Sequence, residues 1–314
     1  MRAIDPSTFA ISDLPTPKPK DGEVLIRVHA AGVNRADLLQ RAGHYPPPPG
    51  ASEIPGLEVA GTVVAAPHTA QGLSVGDEVI ALLAGGGYAE FVCAPAVQCL
   101  PLPSELSHVE GAGLPEALAT SWLNLVDLAE IAEGDTVLIH GGSGGVGSVA
   151  IQLAARRGAR VLTTVGSAEK AARCRALGAE VAVDYHDEDA TEQLRQSAGE
   201  DGVAIILDIL GAGALDSNID LLARDGRLIM IGLQQGRTGS INLGSVLTKR
   251  LQIIGSTLRA LPVARKGEIV AAMRHAARLI APQIHASLPL EEVDRAHQLM
   301  DDPATFGKII LTLD

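Results

Sequence analysis

Hydrophobic positions in the second half of the chain follow two periodicities in turn. Short apolar runs rich in β-branched residues, typical of buried parallel strands, are separated by stretches in which apolar residues recur every three or four positions, as on one face of a helix. The predicted strands cover residues 136–139, 160–165, 181–185, 203–210, 227–233 and 251–257. This alternation predicts a doubly wound α/β domain whose parallel strands have the order 3-2-1-4-5-6.

The pattern before residue 103 is different, because its apolar segments are short, are broken by Gly and Pro, and mostly follow one another without helices. The predicted strands cover residues 23–30, 58–66, 76–83 and 89–94. One short helix, residues 35–41, is expected after Asn34. These features predict a β-rich, partly open barrel, and helical periodicity over residues 104–133 then leads into the parallel sheet.

The end of the chain carries two predicted helices, residues 270–280 and 290–300, and a predicted strand, residues 308–314. Because the parallel sheet needs no seventh strand, we expect this tail to return to the β-rich domain. The predicted domains are residues 1–116 and 259–314 for the two parts of the β-rich domain, and residues 117–258 for the sheet domain.

A glycine-rich turn joins the first strand of the predicted sheet to the first helix, in the sequence TVLIHGGSGGVGSVAIQL. Gly142, Gly144 and Gly147 have the spacing GxGxxG. Between a strand and a helix, such glycines allow a tight turn and close approach of the backbone to a pyrophosphate, whose charge the helix N-terminus attracts. The loop therefore predicts a dinucleotide site. No Gly-Lys-Ser/Thr sequence ends it, which disfavours a nucleoside triphosphatase loop.

The residues after the second predicted strand favour NADPH over NADH. NAD-binding sheets place an Asp or Glu there to bind the ribose 2′-hydroxyl, whereas this chain has Gly166 and Ser167. Ser167 is suited to cap the next helix, and Lys170 follows in its first turn. The strand order brings Tyr185 to the same corner. We expect these residues to accept a 2′-phosphate.

Composition limits the functional classes. The 314 residues are 46% hydrophobic and 20% charged, as in globular proteins. The net charge of −12 opposes nucleic-acid binding. Apolar runs are too short to cross a bilayer, so we expect a cytoplasmic protein without membrane partners. Cys93, Cys99 and Cys174 lack CxxC spacing, so neither a disulfide framework nor a four-thiolate zinc site is expected.

Four segments resemble the zinc-free quinone oxidoreductases of the medium-chain dehydrogenase/reductase superfamily, most closely the tumour-suppressor-inducible subgroup: AAGVNRADLLQRAGHYPPPPGASEIPGLEVAGTV, LPEALATSW, VLIHGGSGGVGSVAIQLA and GSTLR. The resemblance implies a GroES-like catalytic domain, a Rossmann domain that binds NADPH, an active site in the cleft between them, and a homodimer. The implied cofactor contacts are Asn34, Tyr45, Thr120, Gly144, Gly145, Val146, Gly147, Gly166, Ser167, Lys170, Tyr185, Gly211, Leu233, Thr257, Leu258 and Arg259.

The resemblance also implies that no catalytic metal is bound. Zinc-dependent relatives carry a Cys at the position of Asn34 and Gly-His-Glu where this chain has Gly56, Leu57 and Glu58. An amide and a leucine do not replace a thiolate and an imidazole as zinc ligands. One departure from the subgroup is Thr305, which stands where an Asn usually precedes the Gly-Lys pair.

Without a metal, the expected reaction is hydride transfer from NADPH to a quinone small-molecule substrate, with Asn34 and Tyr45 orienting the acceptor and donating hydrogen bonds to the developing oxyanion. One alternative is reduction of an activated C=C bond in an enone, alkenal or enoyl thioester, with Tyr45 as the acid. Another is an NADPH-binding structural or regulatory protein. We expect His44, His140, Asp37 and Glu58 to be structural.

Overall fold

The computed structural model describes residues 1–68, 70 and 72–313. The chain divides into two compact units, residues 1–119 with 258–314 (unit 1) and residues 120–257 (unit 2). The domain ends expected from the sequence, after residues 116 and 258, lie three residues before and one residue after these divisions. Asp314, the last residue of the predicted terminal strand, lies outside the described residues.

Unit 1 contains nine strands among its described residues. They are β1 (Arg2–Ile4), β2 (Ile11–Asp13), β3 (Glu23–Val33), β4 (Glu58–Ala65), β5 (Glu78–Leu82), β6 (Phe91–Pro95), β7 (Cys99–Pro101), β14 (Ile284–Pro289) and β15 (Lys308–Thr312). Seven form one sheet in the order β14-β15-β3-β4-β5-β7, with β6 also paired to β3, and β1 and β2 pair separately. The first half of β3 pairs with β6 and the second half with β15, so the C-terminal tail does join the β-rich unit.

The helices of unit 1 are α1 (Arg35–Arg41), α2 (His108–Gly111), α3 (Pro115–Ser121, which spans the division between the units), α9 (Val263–Met273) and α10 (Val293–Leu299). The predicted helix over residues 270–280 was wrong in its bounds, since α9 begins at Val263 and a separate 3-10 turn covers Ala276–Arg278. The first half of α9 contains Gly267 and polar residues, which weaken the helical pattern of apolar positions there. A Cβ atom at Gly267 would lie 3.0 Å from the side chain of Val97, which would have to shift slightly to admit it.

Unit 2 is built on six parallel strands in the order β10-β9-β8-β11-β12-β13, which confirms the predicted order 3-2-1-4-5-6. The strands are β8 (Thr136–Ile139), β9 (Arg160–Val165), β10 (Val181–Asp184), β11 (Val203–Asp208), β12 (Leu222–Met230) and β13 (Gln252–Gly255). The helices are α4 (Gly145–Arg156), α5 (Ala168–Ala176), α6 (Ala190–Ala198), α7 (Leu215–Leu221) and α8 (Leu243–Lys249). A π-helix, Trp122–Leu128, continues directly from α3.

The bounds of four strands in unit 2 differ from the prediction, and β13, predicted over residues 251–257, covers only Gln252–Gly255. β12 starts five residues early at Leu222, because its first half contains Arg224, Asp225 and Gly226, which do not look like a buried strand. Asp225 has a positive φ of 63°. β10 and β11 are shorter than predicted, because the chain turns after Asp184 and Asp208. Strands β1, β2, β7 and β14 were missed, since each is short or poor in alternating residues.

Both units bury an aliphatic core, as the scarcity of aromatic residues requires. In unit 1, Ile26, Val28 and Val59 pack with Ile309 from the tail. In unit 2, Leu138 and Leu162 belong to the buried cluster that covers the sheet. No helix in the part of the chain that the structure describes is both long and apolar enough to span a bilayer.

We expect Gly61→Ala to destabilise unit 1. Gly61 lies in β4 opposite Val28 of β3, and a Cβ atom there would lie 2.0 Å from the carbonyl oxygen of Arg27. Because backbone must move to admit it, the free energy of unfolding should fall by about 1–3 kcal/mol. Gly255→Ala in β13 is the control, since the corresponding space is open. Equal urea unfolding midpoints for the two variants would contradict this reading.

Candidate active site

The loop between β8 and α4 excludes side chains at two of its three fingerprint glycines. A Cβ atom on Gly142 would lie 2.1 Å from Thr163 Oγ1, and one on Gly147 would lie 2.2 Å from the carbonyl oxygen of Gly141. The positive φ of the turn, 71°, belongs to Gly141, to which the sequence analysis assigned no role. A Cβ atom on Gly144 would make only an ordinary contact at 3.4 Å, so this position has room for a side chain.

Helix α4 presents its N-terminus directly after this loop. Gly144 is the N-cap residue, Gly145, Val146 and Gly147 follow in the first turn, and no acidic residue stands there. The first amide groups of a helix have no intrahelical acceptor and carry the positive end of the helix dipole. In this 12-residue helix they form an end suited to phosphate, and the bare loop lets it approach. The residues present therefore fit a dinucleotide.

The corner expected to receive the ribose is assembled as the strand order requires. Tyr185 N donates to the carbonyl oxygen of Val165, which places Tyr185 beside Gly166. A Cβ atom on Gly166 would lie 2.4 Å from the Tyr185 hydroxyl oxygen, so only glycine leaves this hydroxyl in place. Ser167 Oγ accepts from Lys170 N at 3.2 Å and caps α5. The phosphate contacts themselves stay predictions.

His186 belongs to the same corner and was missed by the sequence analysis. Its ring lies 4.5 Å from the ring of Tyr185, and its Nδ1 is 2.9 Å from Asp184 Oδ1. The signal was available, since His186 directly follows Tyr185. The imidazole therefore lies in this exposed corner between the Tyr185 ring and the Asp184 carboxylate.

The remaining unit 2 residues of the predicted set also follow the carboxyl ends of parallel strands, with Thr120 as the exception. Gly211 and Leu233 come together after β11 and β12, because a Cβ atom on Gly211 would lie 3.1 Å from Leu233 Cα. Thr257 stands two residues after β13. Since carboxyl ends of parallel strands share one edge, the loops that carry these residues lie along the edge where such sheets bind ligands.

Three buried polar side chains meet in unit 1 at the end of β3. Lys308 Nζ lies 2.5 Å from Glu58 Oε1 and 2.7 Å from Asn34 Oδ1, and it also donates to the carbonyl oxygen of Val33 at 3.0 Å. Asn34 Nδ2 donates to Glu58 Oε1 at 3.0 Å and to the carbonyl oxygen of Gly32 at 3.4 Å. We call Asn34, Glu58 and Lys308 the lysine cluster.

The lysine cluster engages the side chain of Asn34, whose role at the acceptor stays a prediction. Both N–H groups of its side-chain amide donate within unit 1, to Glu58 Oε1 and, at the longer distance of 3.4 Å, to the carbonyl oxygen of Gly32. These hydrogen bonds leave no local signal in the sequence, because Lys308, whose ammonium donates to the amide oxygen, is 274 residues away. Asn34 therefore acts in the structure as a link between the ammonium and the carboxylate.

The side chains at and beside the lysine cluster can be compared with the ligands that a catalytic zinc needs. Asn34 and Leu57 supply neither a thiolate nor an imidazole, and Leu57 is buried and apolar. Glu58 stands where zinc-dependent relatives have the Glu of Gly-His-Glu. Its carboxylate already contacts the ammonium of Lys308. This donor set does not fit zinc.

Asp37 is a structural residue, as expected. Its carboxylate accepts from Asn34 N at 2.8 Å, from Gly56 N at 3.0 Å and from the Tyr88 hydroxyl at 3.0 Å, and so joins α1 to two loops. Burial raises the pKa of Asp37 to about 6 despite these hydrogen bonds. The Glu58 expectation also holds, since Glu58 bonds Lys308.

Glu116 is a titratable group that the sequence analysis missed. Its backbone N–H donates to Glu58 Oε2 at 2.8 Å. Burial, followed by the negative charge of Glu58, raises the pKa of the Glu116 carboxyl to about 8, while Lys308 opposes the shift. Glu116 therefore holds a proton at neutral pH. Its position after a proline in α3 gave no sign of this, because the shift comes from residues distant in sequence.

Tyr45 is half-buried and is held by Arg259. Arg259 Nη1 donates to the carbonyl oxygen of Tyr45 at 3.2 Å, and the guanidinium carbon lies 5.4 Å from the centre of the Tyr45 ring. Arg259 also donates to Gln40 Oε1 and to the carbonyl oxygen of Ala84. Burial, followed by the charge of Glu116, raises the pKa of Tyr45. Leu258, the neighbour of Arg259, is buried.

Neither histidine near the predicted site has a catalytic arrangement. His140 is buried, with Nδ1 3.1 Å from Thr164 Oγ1 and Nε2 2.7 Å from Asn218 Oδ1. Burial lowers its pKa, so it stays neutral and ties β8 to β9 and α7. His44 lies exposed, one residue before Tyr45.

We expect Glu116→Gln to change how stability depends on pH. The pKa of Glu116 is about 8 in the folded chain and near 4.5 in the unfolded chain, so this group makes the free energy of unfolding fall as pH rises between those values. Glutamine does not ionise, so its free energy of unfolding should not fall in this way. The difference in free energy of unfolding between the variant and the unmutated chain should therefore grow in favour of the variant as pH rises. Urea unfolding across the range measures the difference, and parallel curves would contradict the assignment.

Comparison with known proteins covers both units. The family profile described as alcohol dehydrogenase GroES-like domain matches residues 20–104, and the one described as zinc-binding dehydrogenase matches residues 145–278. Human quinone oxidoreductase is 33% identical over 306 residues, which cover 96% of this chain and 92% of that protein.

Two solved structures extend the comparison. A mycobacterial protein in complex with NADPH has a TM-score of 0.87 at 32% identity, with 100% of both chains covered. Quinone oxidoreductase from Thermus thermophilus, which was also solved with NADPH, has a TM-score of 0.80 at 31% identity, with 96% of this chain and 95% of that chain covered. On these likenesses and its two-unit fold, the chain belongs to the medium-chain dehydrogenase/reductase superfamily, with quinone oxidoreductases among its relatives.

Proposed function

We propose that this chain is an NADPH-dependent, zinc-independent reductase that transfers a hydride to quinones. The observation that carries the proposal is the lysine cluster, in which a buried ammonium lies against Glu58 and the donor set does not suit zinc. The acceptor must then be one that takes a hydride without a metal Lewis acid. A quinone meets this condition, because the hydroquinone anion formed is stabilised by its own ring.

The corner formed by Gly166, Ser167, Lys170 and Tyr185 supports NADPH as the cofactor. It carries no acid at the end of β9 to repel a 2′-phosphate, and a capped helix begins there. Solved relatives were obtained in complex with NADPH. When bound, NADPH supplies a hydride from its nicotinamide ring, and the residues of unit 2 hold the nucleotide through its phosphates.

Tyr45 is the residue we assign to the acceptor. Its raised pKa, caused first by burial and then by Glu116, keeps the phenol protonated at neutral pH. A protonated hydroxyl can donate a hydrogen bond to the oxygen on which negative charge develops. Arg259 fixes the loop that carries it, through the Tyr45 carbonyl oxygen and the face of the ring. The role of Tyr45 is therefore to position and stabilise.

Reduction of an activated C=C bond is the second candidate, and the protonated state of Glu116 favours it. An enolate must receive a proton, and Glu116 and Tyr45 both hold one at neutral pH. A third candidate, an NADPH-binding protein without turnover, predicts binding but no loss of NADPH absorbance with a panel of quinones and enones.

The same proposal includes a cytoplasmic homodimer. β13 is the edge strand of the unit 2 sheet, and nearby α8 exposes Leu243 and Leu247 at 71% and 78%. An edge strand beside exposed apolar side chains supports pairing with a second copy. The three free cysteines agree with a reducing compartment. Light scattering at several protein concentrations measures the assembly.

We expect Lys170→Ala to raise the KM for NADPH by about tenfold with kcat nearly unchanged, because the lost cation contacts the 2′-phosphate in ground and transition states alike. The KM for NADH should not change. Glu169→Ala, one residue earlier in the same helical turn, is the matched control and should not raise the KM for NADPH. An unmutated enzyme with no preference for NADPH over NADH would contradict the assignment.

We expect Tyr45→Phe to separate the two reductase candidates. A quinone reductase loses one hydrogen bond to the developing oxyanion, so its kcat/KM should fall by about tenfold or less. Steady-state rates with quinones and enones, with exposed His44→Ala as the control, measure the effect. A loss of several orders of magnitude would instead assign Tyr45 as the acid of an enone reductase.

A further inference from the structure

A second group of ligand-type side chains lies in unit 1, apart from the lysine cluster. His29, Glu78 and His108 each place one ring nitrogen or carboxylate oxygen so that the three atoms lie within 4.8 Å of one another. The rings of the two histidines are 4.5 Å apart between centres. β4 connects the two groups. Thr62, which lies beside this second group, is four residues after Glu58 of the lysine cluster, a distance of about 13 Å along a strand.

The topology of the sheet assembles this group from distant parts of the sequence. Thr62 of β4 is directly opposite Glu78 of β5, and its hydroxyl donates to Glu78 Oε1 at 2.8 Å. His29 lies in β3 at an irregularity in its pairing with β4, and its Nε2 is 2.8 Å from Thr62 Oγ1. His108, the first residue of α2, is hydrogen-bonded through Nε2 to Glu78 Oε2. Three adjacent strands and one helix converge here.

The backbone around the group is fixed independently of its side chains. Ser107 and Glu110 form a reciprocal capping box that sets the start of α2, with Glu110 Oε2 accepting from Ser107 N at 2.9 Å. On the other side, Leu313 N donates to the carbonyl oxygen of His29 at 2.9 Å. The two imidazoles are therefore presented from rigid elements, as a preorganised ligand site requires.

Two imidazoles and one carboxylate form a ligand set that suits a transition-metal ion. The same combination holds zinc in catalytic sites that leave a fourth position for water, while Ca²⁺ and Mg²⁺ select oxygen ligands. Ligands about 2.0–2.1 Å from a tetrahedral zinc stand about 3.3 Å apart, and because the three atoms lie within 4.8 Å of one another, none of their separations has to shorten by more than about 1.5 Å. Rotation of the side chains of half-buried His29 and His108 and of exposed Glu78 provides such a movement.

We propose that His29, Glu78 and His108 form a binding site for a divalent transition-metal ion, with Zn²⁺ as the leading candidate and Thr62 beside it. This site is separate from the catalytic position and takes no part in hydride transfer. A bound ion would tie α2 to β3 and β5. The chain then continues into α3, where Glu116 N donates to Glu58, so the ion is expected to stabilise the fold around the lysine cluster.

Titration of the chelator-treated full chain with ZnCl₂, in competition with a chromophoric chelator at neutral pH, tests the site. We expect one Zn²⁺ per chain at micromolar metal and a higher Tm when it is bound. His29→Gln and His108→Gln should each weaken binding by at least about tenfold, since even residues outside the coordination sphere often change affinity by that factor. His186→Gln is the matched control, because it removes an exposed imidazole paired with a carboxylate in unit 2.

Electron paramagnetic resonance with Cu²⁺ as the probe gives a readout that does not depend on variant stability. The unmutated chain should show coupling to two imidazole nitrogens, and each of the two variants to one. Absence of saturable zinc binding, unchanged affinity in both variants, or an equal loss in His186→Gln would overturn the proposal. No readout here uses NADPH or a quinone, so failure of this site and failure of the proposed function are distinguishable.

Discussion

The contact between the Lys308 ammonium and the Glu58 carboxylate is the interaction on which the polar groups of unit 1 depend. β15, β3 and β4 are neighbours in the sheet, and this order brings together Lys308 at the start of β15, Asn34 just after β3 and Glu58 at the start of β4. A buried pair of this kind adds little net stability, but removal of one partner costs about 3–5 kcal/mol because the other charge remains buried. The cluster therefore sets the hydrogen bonding of Asn34 and of the Glu116 backbone N–H, and its charges act on the pKa of Glu116 after burial.

Unit 2 depends on a steric constraint instead. Strands that all run the same way bring their carboxyl ends to one edge, and the loops there must leave space for a nucleotide. Gly142, Gly147 and Gly166 let these loops pack closely, since a Cβ atom at each would lie 2.1–2.4 Å from another atom of the chain. The charges near these loops also favour a phosphate. No acid follows β9 at Gly166 and Ser167, and two helices, α4 and α5, begin near the loops.

Local signals explain which parts of the molecule could be predicted. The six parallel strands, their order, α1, and the corner of Gly166, Ser167 and Tyr185 follow from periodicity, spacing and topology rules that act over short stretches. The structural roles of Asp37 and Glu58 were also predicted.

The hydrogen-bonding state of Asn34 was not predicted, because it depends on Lys308. That residue lies in a strand whose pairing to β3 leaves no trace in either segment. Glu116 and the His29, Glu78 and His108 group were missed for the same reason, since their chemistry comes from neighbours that only the folded sheet supplies.

In the proposed reaction, hydride transfer proceeds without a metal, and Asn34 and Glu58 of the lysine cluster occupy sequence positions that zinc-dependent relatives use for metal. The most direct test is the steady-state rate of NADPH oxidation by a quinone, measured with enzyme kept in excess chelator, with its metal content determined by elemental analysis. A metal-free reaction should keep an undiminished rate with no zinc retained. A rate that disappears with the metal and returns with one equivalent of zinc, in the unmutated chain and in His29→Gln alike, would contradict it.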